Sequence, residues 1–93
     1  QPGFLQQVQQ KGAYFKEKLS KMPHVKSIRQ MGLMIGFDLD AGSSVQVAAQ
    51  CAQEGLLVLT AKQAVRLLPP LTITYEEIDQ GLAVLERVLQ AIV

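Results

Sequence analysis

Arg66 is the residue whose surroundings most require a chemical explanation. It stands between Val65 and Leu67 in a run that ends at Pro69-Pro70. If the run is a strand, alternation puts Val65 and Leu67 on one face and Ala64, Arg66 and Leu68 on the other. A guanidinium cannot lose its charge to escape burial, so on an otherwise apolar face it needs a partner. Three partners are open: solvent at an exposed edge, an acid such as Glu54 or Asp38, or a ligand carboxylate held by two parallel N–H···O bonds.

The remaining inventory for chemistry is thin. The sequence has no Ser/His/Asp set, no Cys/His metal spacing and no glycine loop suited to phosphate. His24, the only histidine, follows the helix-ending Pro23 and is expected to be a solvated loop residue. Asp38 and Asp40 lie on a strand and its exit, where they are expected at the surface and in a turn. Cys51, the only cysteine, sits among alanines at helical spacing and is expected to be a buried, inert thiol. Gly32 and Gly36 bracket Leu-Met-Ile. Gly32 suits a turn, whereas a glycine inside a strand often marks a bulge or a close approach by another backbone or a ligand.

These residues need elements to carry them. Phe4, Val8, Phe15 and Leu19 mark one face of a first helix, with Pro2 at its start and Gly12 a weak spot within it. Met22-Pro23-His24 closes that helix. Val25–Ile28 reads as a short strand, and Gln30-Met31-Gly32 as the turn after it. Leu33, Ile35, Phe37 and Leu39 then alternate with Met34, Gly36 and Asp38, the pattern of a half-buried strand. A helix capped by Ser43 or Ser44 follows, with Val45, Ala48, Ala49 and Ala52 as its apolar stripe and Gly55 past its end. The apolar run from Leu56 to Thr60 and the partner strand from Ala64 to Leu68 suit a hairpin. Thr74 and Glu77 form a capping box, with Ile73 and Ile78 as its hydrophobic staple. Ile78, Leu82, Leu85, Leu89 and Ile92 give the last helix its buried face. The order α-β-β-α-β-β-α implies an α+β two-layer sandwich: about four strands in a small antiparallel or mixed sheet, with helices on one face.

Composition excludes several classes of function. Ninety-three residues make a single domain spanning 1–93. The net charge is +1, and the basic first quarter has few aromatics interleaved for base stacking, so no nucleic-acid partner is expected. No apolar stretch approaches the ~18 residues of a membrane span. One cysteine allows no intrachain disulfide, which suits a reducing cytoplasm. The hydrophobic fraction is 48% and the charged fraction 18%, the latter below the roughly 25% typical of soluble domains. Either the core is generous or part of the surface is covered by something else. The start at Gln1, almost inside a helical pattern, suggests a segment of a longer protein.

Three blocks carry a family resemblance: Gly32-Leu33-Met34-Ile35-Gly36, Gly55-Leu56-Leu57-Val58-Leu59-Thr60, and Val65-Arg66-Leu67-Leu68-Pro69-Pro70-Leu71-Thr72-Ile73-Thr74. In this order and spacing they resemble the C-terminal small domain of class III aminotransferases dependent on pyridoxal phosphate (PLP), in the acetylornithine/ornithine branch. Two positions depart from the family pattern. Gln30 stands where a glycine usually follows the arginine matching Arg29, and Lys62 stands where the hairpin commonly has glycine.

The resemblance implies a role for Arg66, which matches the arginine that holds the α-carboxylate of an amino-acid or 2-oxo-acid substrate. It also implies that the Schiff-base lysine, the aspartate facing the pyridine nitrogen and the phosphate cup belong to a preceding large domain. This chain would then bind no PLP and supply no catalytic residue, and its partners would be the large domain and a second subunit of a homodimer. Two other functions are compatible with the sequence: a free-standing module that binds amino acids for regulation, and a dimerisation domain. The amino donor is left open among acetylornithine, ornithine, succinylornithine and γ-aminobutyrate.

Overall fold

The computed structural model describes residues 3–56 and 58–92. Three helices and four strands follow one another as α1 (Phe4–Leu19), β1 (Val25–Met31), β2 (Met34–Leu39), α2 (Ser44–Gln53), β3 (Leu59–Ala61), β4 (Ala64–Leu67) and α3 (Tyr75–Gln90). The sheet order is β1-β2-β4-β3, antiparallel throughout. This is the expected α+β arrangement, and β2 and β4 are its central strands.

The sheet buries one face. Ile35, Phe37 and Leu39 of β2 and Val65 and Leu67 of β4 are buried, and they meet Phe15 and Leu19 of α1, Val47 and Cys51 of α2, and Ile78, Leu82, Leu85 and Leu89 of α3. The alternating residues Met34, Gly36, Asp38 and Arg66 are left on the opposite, open face. The capping box of α3 is present in both directions: Glu77 N–H donates to Thr74 Oγ1 and Thr74 N–H donates to Glu77 Oε1. Val88, absent from the expected stripe, joins its buried face.

Several element limits differ from those expected, each for a local reason. Helix α1 ends at Leu19, before Met22-Pro23, because Lys21 and Met22 already make tighter bonds to Lys18 and Leu19. Phe4 is 38% exposed and lies outside the core; the expected role of Pro2 lies outside the described residues. Strand β1 runs on through Gln30 and Met31, and the turn is Gly32-Leu33. A bulge between Lys26 and Arg29, with Ser27 at φ 52°, breaks the alternation that would have revealed the longer strand.

In α2 the buried residues are Ser44, Val47 and Cys51, whereas Val45 is 67% exposed. Ser43 caps this helix through Gln46 N–H, and Ser44 turns inward to donate to the carbonyl of Lys62. The stripe therefore starts one residue earlier than the alanines suggested. The third strand is shorter than the apolar run. Gly55 at φ 90° lets the Leu56 N–H reach the Cys51 carbonyl at 2.8 Å and the Gly55 N–H reach that of Ala52, a Schellman ending. Leu56 is thus still completing α2. Leu57 lies outside the described residues.

The β3–β4 turn is Lys62-Gln63, and Lys62 has φ 57°. A left-handed conformation crowds a side chain and favours glycine in two-residue hairpins. Lys62→Gly is expected to raise the stability of the chain by about 0.5–1 kcal/mol, the left-handed strain relieved less the added entropy of glycine when unfolded. Urea unfolding measures it, and an unchanged or lower midpoint would show that Lys62 adopts this conformation without strain.

Candidate carboxylate site

The open face of the sheet is organised around Gly36. Antiparallel pairing places Gly36 opposite Arg66 on one side and opposite Arg29 on the other, and Leu59 pairs with Arg66 from the far strand. Residues so paired share a face. Met31 and Met34 face each other at the end of the β1–β2 hairpin. An open hollow of about 350 Å³ results, lined by Arg66, Gly36, Arg29, Met31, Met34 and Leu68.

Each residue is placed by a simple local cause. Val65 and Leu67 are buried, at 0% and 5% exposure, and these anchors turn Arg66 outward. The bulge in β1 turns Ile28 toward the core and Arg29 to the open face. Gln30 points back toward α1 and donates to the Gly32 carbonyl at 2.8 Å. Around the guanidinium, Met31, Met34, Leu59 and Leu68 are 77%, 59%, 56% and 54% exposed, an unusual amount of apolar side chain beside a charge.

The chain holds three arginines, and two of them are occupied. Arg29 donates to both oxygens of Asp38, at 3.2 and 3.3 Å, and to the Ser27 carbonyl at 2.9 Å. The hydrogen bond from Arg29 is the main cause holding the Asp38 carboxyl below its ordinary pKa, partly opposed by desolvation. Arg87 pairs with Glu54. Both acids considered for Arg66 are therefore taken. Among the described residues no ion pair or hydrogen bond falls on the Arg66 guanidinium, so its fork is free at the edge of the hollow.

The other candidates lie elsewhere. Asp38 and Asp40 have separate partners: Asp38 accepts from Arg29, and Asp40 takes His24, whose Nδ1 is 3.0 Å from its Oδ1. The expectation of a plain solvated histidine needs correcting, because His24 is half-buried, has φ 67° and is tied through its carbonyl to the Asp40 N–H. Cys51 is fully buried, and burial pushes its thiol pKa up, with Glu54 adding to the shift; that disfavours the reactive thiolate. A second cleft, of about 320 Å³, lies between the Pro69-Pro70 segment and α3. Its one charged lining residue, Glu77, is engaged in the helix cap. Sequence reasoning missed Arg29 as the partner of Asp38, because the bulge hides which face it occupies.

No lysine lines the hollow beside Arg66, and Lys11 and Lys21 are engaged at Ile73 and Glu17. The hollow therefore offers no amine of this chain for a Schiff base. Among the described residues no group of His, Cys, Asp and Glu could hold a metal ion, and no helix is long and apolar enough to cross a membrane.

An α+β domain with one covered sheet face and one free guanidinium on its open face is a piece suited to holding a carboxylate. Residues 1–89 match the family described as aminotransferase class-III, and the chain belongs to that family. It is 44% identical to the acetylornithine aminotransferase of Haemophilus ducreyi over 96% of this chain and 23% of that protein. With the acetylornithine aminotransferase of Bacillus subtilis the identity is again 44%, over 96% and 24%. Among solved structures, the lysine aminotransferase of M. tuberculosis in its internal aldimine form superposes with a TM-score of 0.83 at 29% identity, over 95% of this chain and 22% of that one. The chain thus spans about a quarter of the length of the relatives it matches.

Proposed function

We propose that this chain is the C-terminal, substrate-orienting small domain of a PLP-dependent aminotransferase that converts acetylornithine and 2-oxoglutarate to N-acetylglutamate semialdehyde and glutamate. The observation that carries the proposal is the free Arg66 fork beside Gly36 on the open face. A planar guanidinium meets a carboxylate through two parallel bonds, and both reaction partners carry an α-carboxylate. The identity to acetylornithine aminotransferases supports the choice of donor. Within this reading PLP, which serves as electron sink, is held by the large domain, and the exposed Met31, Met34 and Leu68 face that domain. The protein acts as a cytoplasmic homodimer in arginine biosynthesis.

The test compares the full-length protein with the 93-residue chain alone, each mixed with PLP, acetylornithine and 2-oxoglutarate. Turnover is expected from the full-length protein. The chain alone is expected to give neither turnover nor a PLP adduct trapped by borohydride. A stoichiometric trapped adduct on the chain, or a full-length protein inert toward acetylornithine, would overturn the proposal.

A further inference from the structure

Gly36 lies in the middle of β2, a central strand, where glycine weakens a sheet through backbone entropy and the lack of a side chain to pack. Something must offset that. One cause would be a left-handed backbone, but the glycines at positive φ are 3, 32, 42 and 55, and Gly36 is not among them. Another would be crowding within the chain. A Cβ built on Gly36 meets its nearest atoms, Arg29 Nη2 and the Val65 carbonyl oxygen, at 3.7 Å and Arg66 Cγ at 3.8 Å, which is ordinary contact. Gly12 shows what real crowding looks like: a Cβ there would lie 1.9 Å from the Gly32 carbonyl oxygen. Neither the conformation nor the packing of this chain asks for glycine at position 36.

The requirement therefore comes from the open side of the sheet. We infer that Gly36 determines substrate size: its bare backbone is the bed on which the carbon chain of the amino-acid or 2-oxo-acid substrate lies while Arg66 holds the carboxylate. This deepens the proposed function and rests on the carboxylate reading of Arg66. The hollow has the matching chemistry. Arg66 gives it one cationic end, Met31, Met34 and Leu68 give it apolar flanks, and Arg29 at the other side of Gly36 is neutralised by Asp38. Methionine side chains adapt their shape and suit walls around a flexible aliphatic chain.

The experiment uses the full-length protein with Gly36→Ala and Gly36→Val, beside Arg66→Lys. Three quantities are read: KM and kcat for 2-oxo acids of increasing chain size, the dissociation constant of the unreactive dicarboxylate glutarate by calorimetry, and the melting temperature. Gly36→Ala is expected to raise KM and the glutarate constant about 10-fold, the usual cost of one methyl group too many in a fitted pocket. Gly36→Val should do more, and bulkier oxo acids should suffer most. The melting temperature should hold or rise, because alanine and valine both suit a strand better than glycine does. A melting temperature lowered by Gly36→Ala overturns the inference, since the glycine would then serve packing. Unchanged KM and glutarate binding in both Gly36 variants, with glutarate binding loosened by Arg66→Lys, overturns this inference alone. If Arg66→Lys also leaves glutarate binding unchanged, the carboxylate reading falls as well.

Discussion

Arg66→Lys in the full-length protein is expected to lower kcat/KM for amino-acid and 2-oxo-acid substrates by roughly 30- to 1000-fold while leaving PLP content unchanged. The magnitude follows from the geometry of the fork. Hydrogen bonds to charged groups contribute about 1.5–3 kcal/mol each, and lysine restores part of one of them. The net loss is about 2–4 kcal/mol, at ~1.4 kcal/mol per decade. Lysine keeps the charge but presents it as a compact ammonium on a flexible stem, so it cannot satisfy both carboxylate oxygens along parallel directions. Arg66→Ala should be worse, because it leaves the substrate carboxylate desolvated without a partner.

The fold gives this experiment a clean control. Arg66 is exposed, and its strand is held from the other face by Val65 and Leu67, which are buried against the helices. No described acid loses a partner when the guanidinium goes, because Asp38 remains with Arg29 and Glu54 with Arg87. The melting curve should therefore be unchanged. Steady-state kinetics with glutamate and 2-oxoglutarate beside that curve make the measurement. Unchanged kcat/KM in a folded protein would return Arg66 to the role of an exposed strand residue.

The parts of the fold that could be read in the sequence are those governed by strict periods and local pairings. Leu33, Ile35, Phe37 and Leu39 alternate without interruption and are all buried. Thr74 and Glu77 are three residues apart and satisfy each other's backbone donors, so the start of α3 needed no tertiary information. Where a tertiary contact overrides the period, the reading failed. The bulge at Ser27 shifts β1 by one residue, so Arg29 and its pairing with Asp38 stayed hidden. In α2 the inward Ser44 is a polar residue on the buried face, and it is there because the carbonyl of Lys62 accepts from it. A hydrophobic stripe drawn through the alanines misses that. Within the site, alternation placed Arg66 correctly, while the emptiness above Gly36 and the engagement of the other two arginines required the sheet register.

Gly12 is the clearest case of a residue whose role reversed between sequence and structure, and it makes a quantitative prediction. As a mid-helix glycine it looks like a defect, and alanine should gain about 1 kcal/mol there. In the fold Gly12 is buried, and the turn Gly32-Leu33 is seated directly on α1. A Cβ at position 12 would lie 1.9 Å from the Gly32 carbonyl oxygen and 2.5 Å from Gln30 Nε2. The glutamine amide is the end of a flexible side chain and can swing away. The carbonyl belongs to a turn fixed by Gly32 at φ 57°, against the Val8 side chain. That oxygen would have to move from 1.9 Å to beyond 3.0 Å, carrying the end of the β1–β2 hairpin with it. Overpacking of this kind costs about 3 kcal/mol, which outweighs the helix propensity and leaves Gly12→Ala destabilising by about 2 kcal/mol. For a domain of this size that is roughly 8–16 °C in melting temperature. Gly81 supplies the comparison within the same molecule. It also sits inside a helix, α3, but a Cβ there meets only Leu56 Cδ1 at 3.5 Å, an ordinary contact. Gly81→Ala should therefore stabilise by about 1 kcal/mol. Thermal melts of the two variants, run side by side on the 93-residue chain, should move in opposite directions. If both rise, α1 is free to shift away from the hairpin, and the Gly32 carbonyl is not held in place by its seat on Gly12.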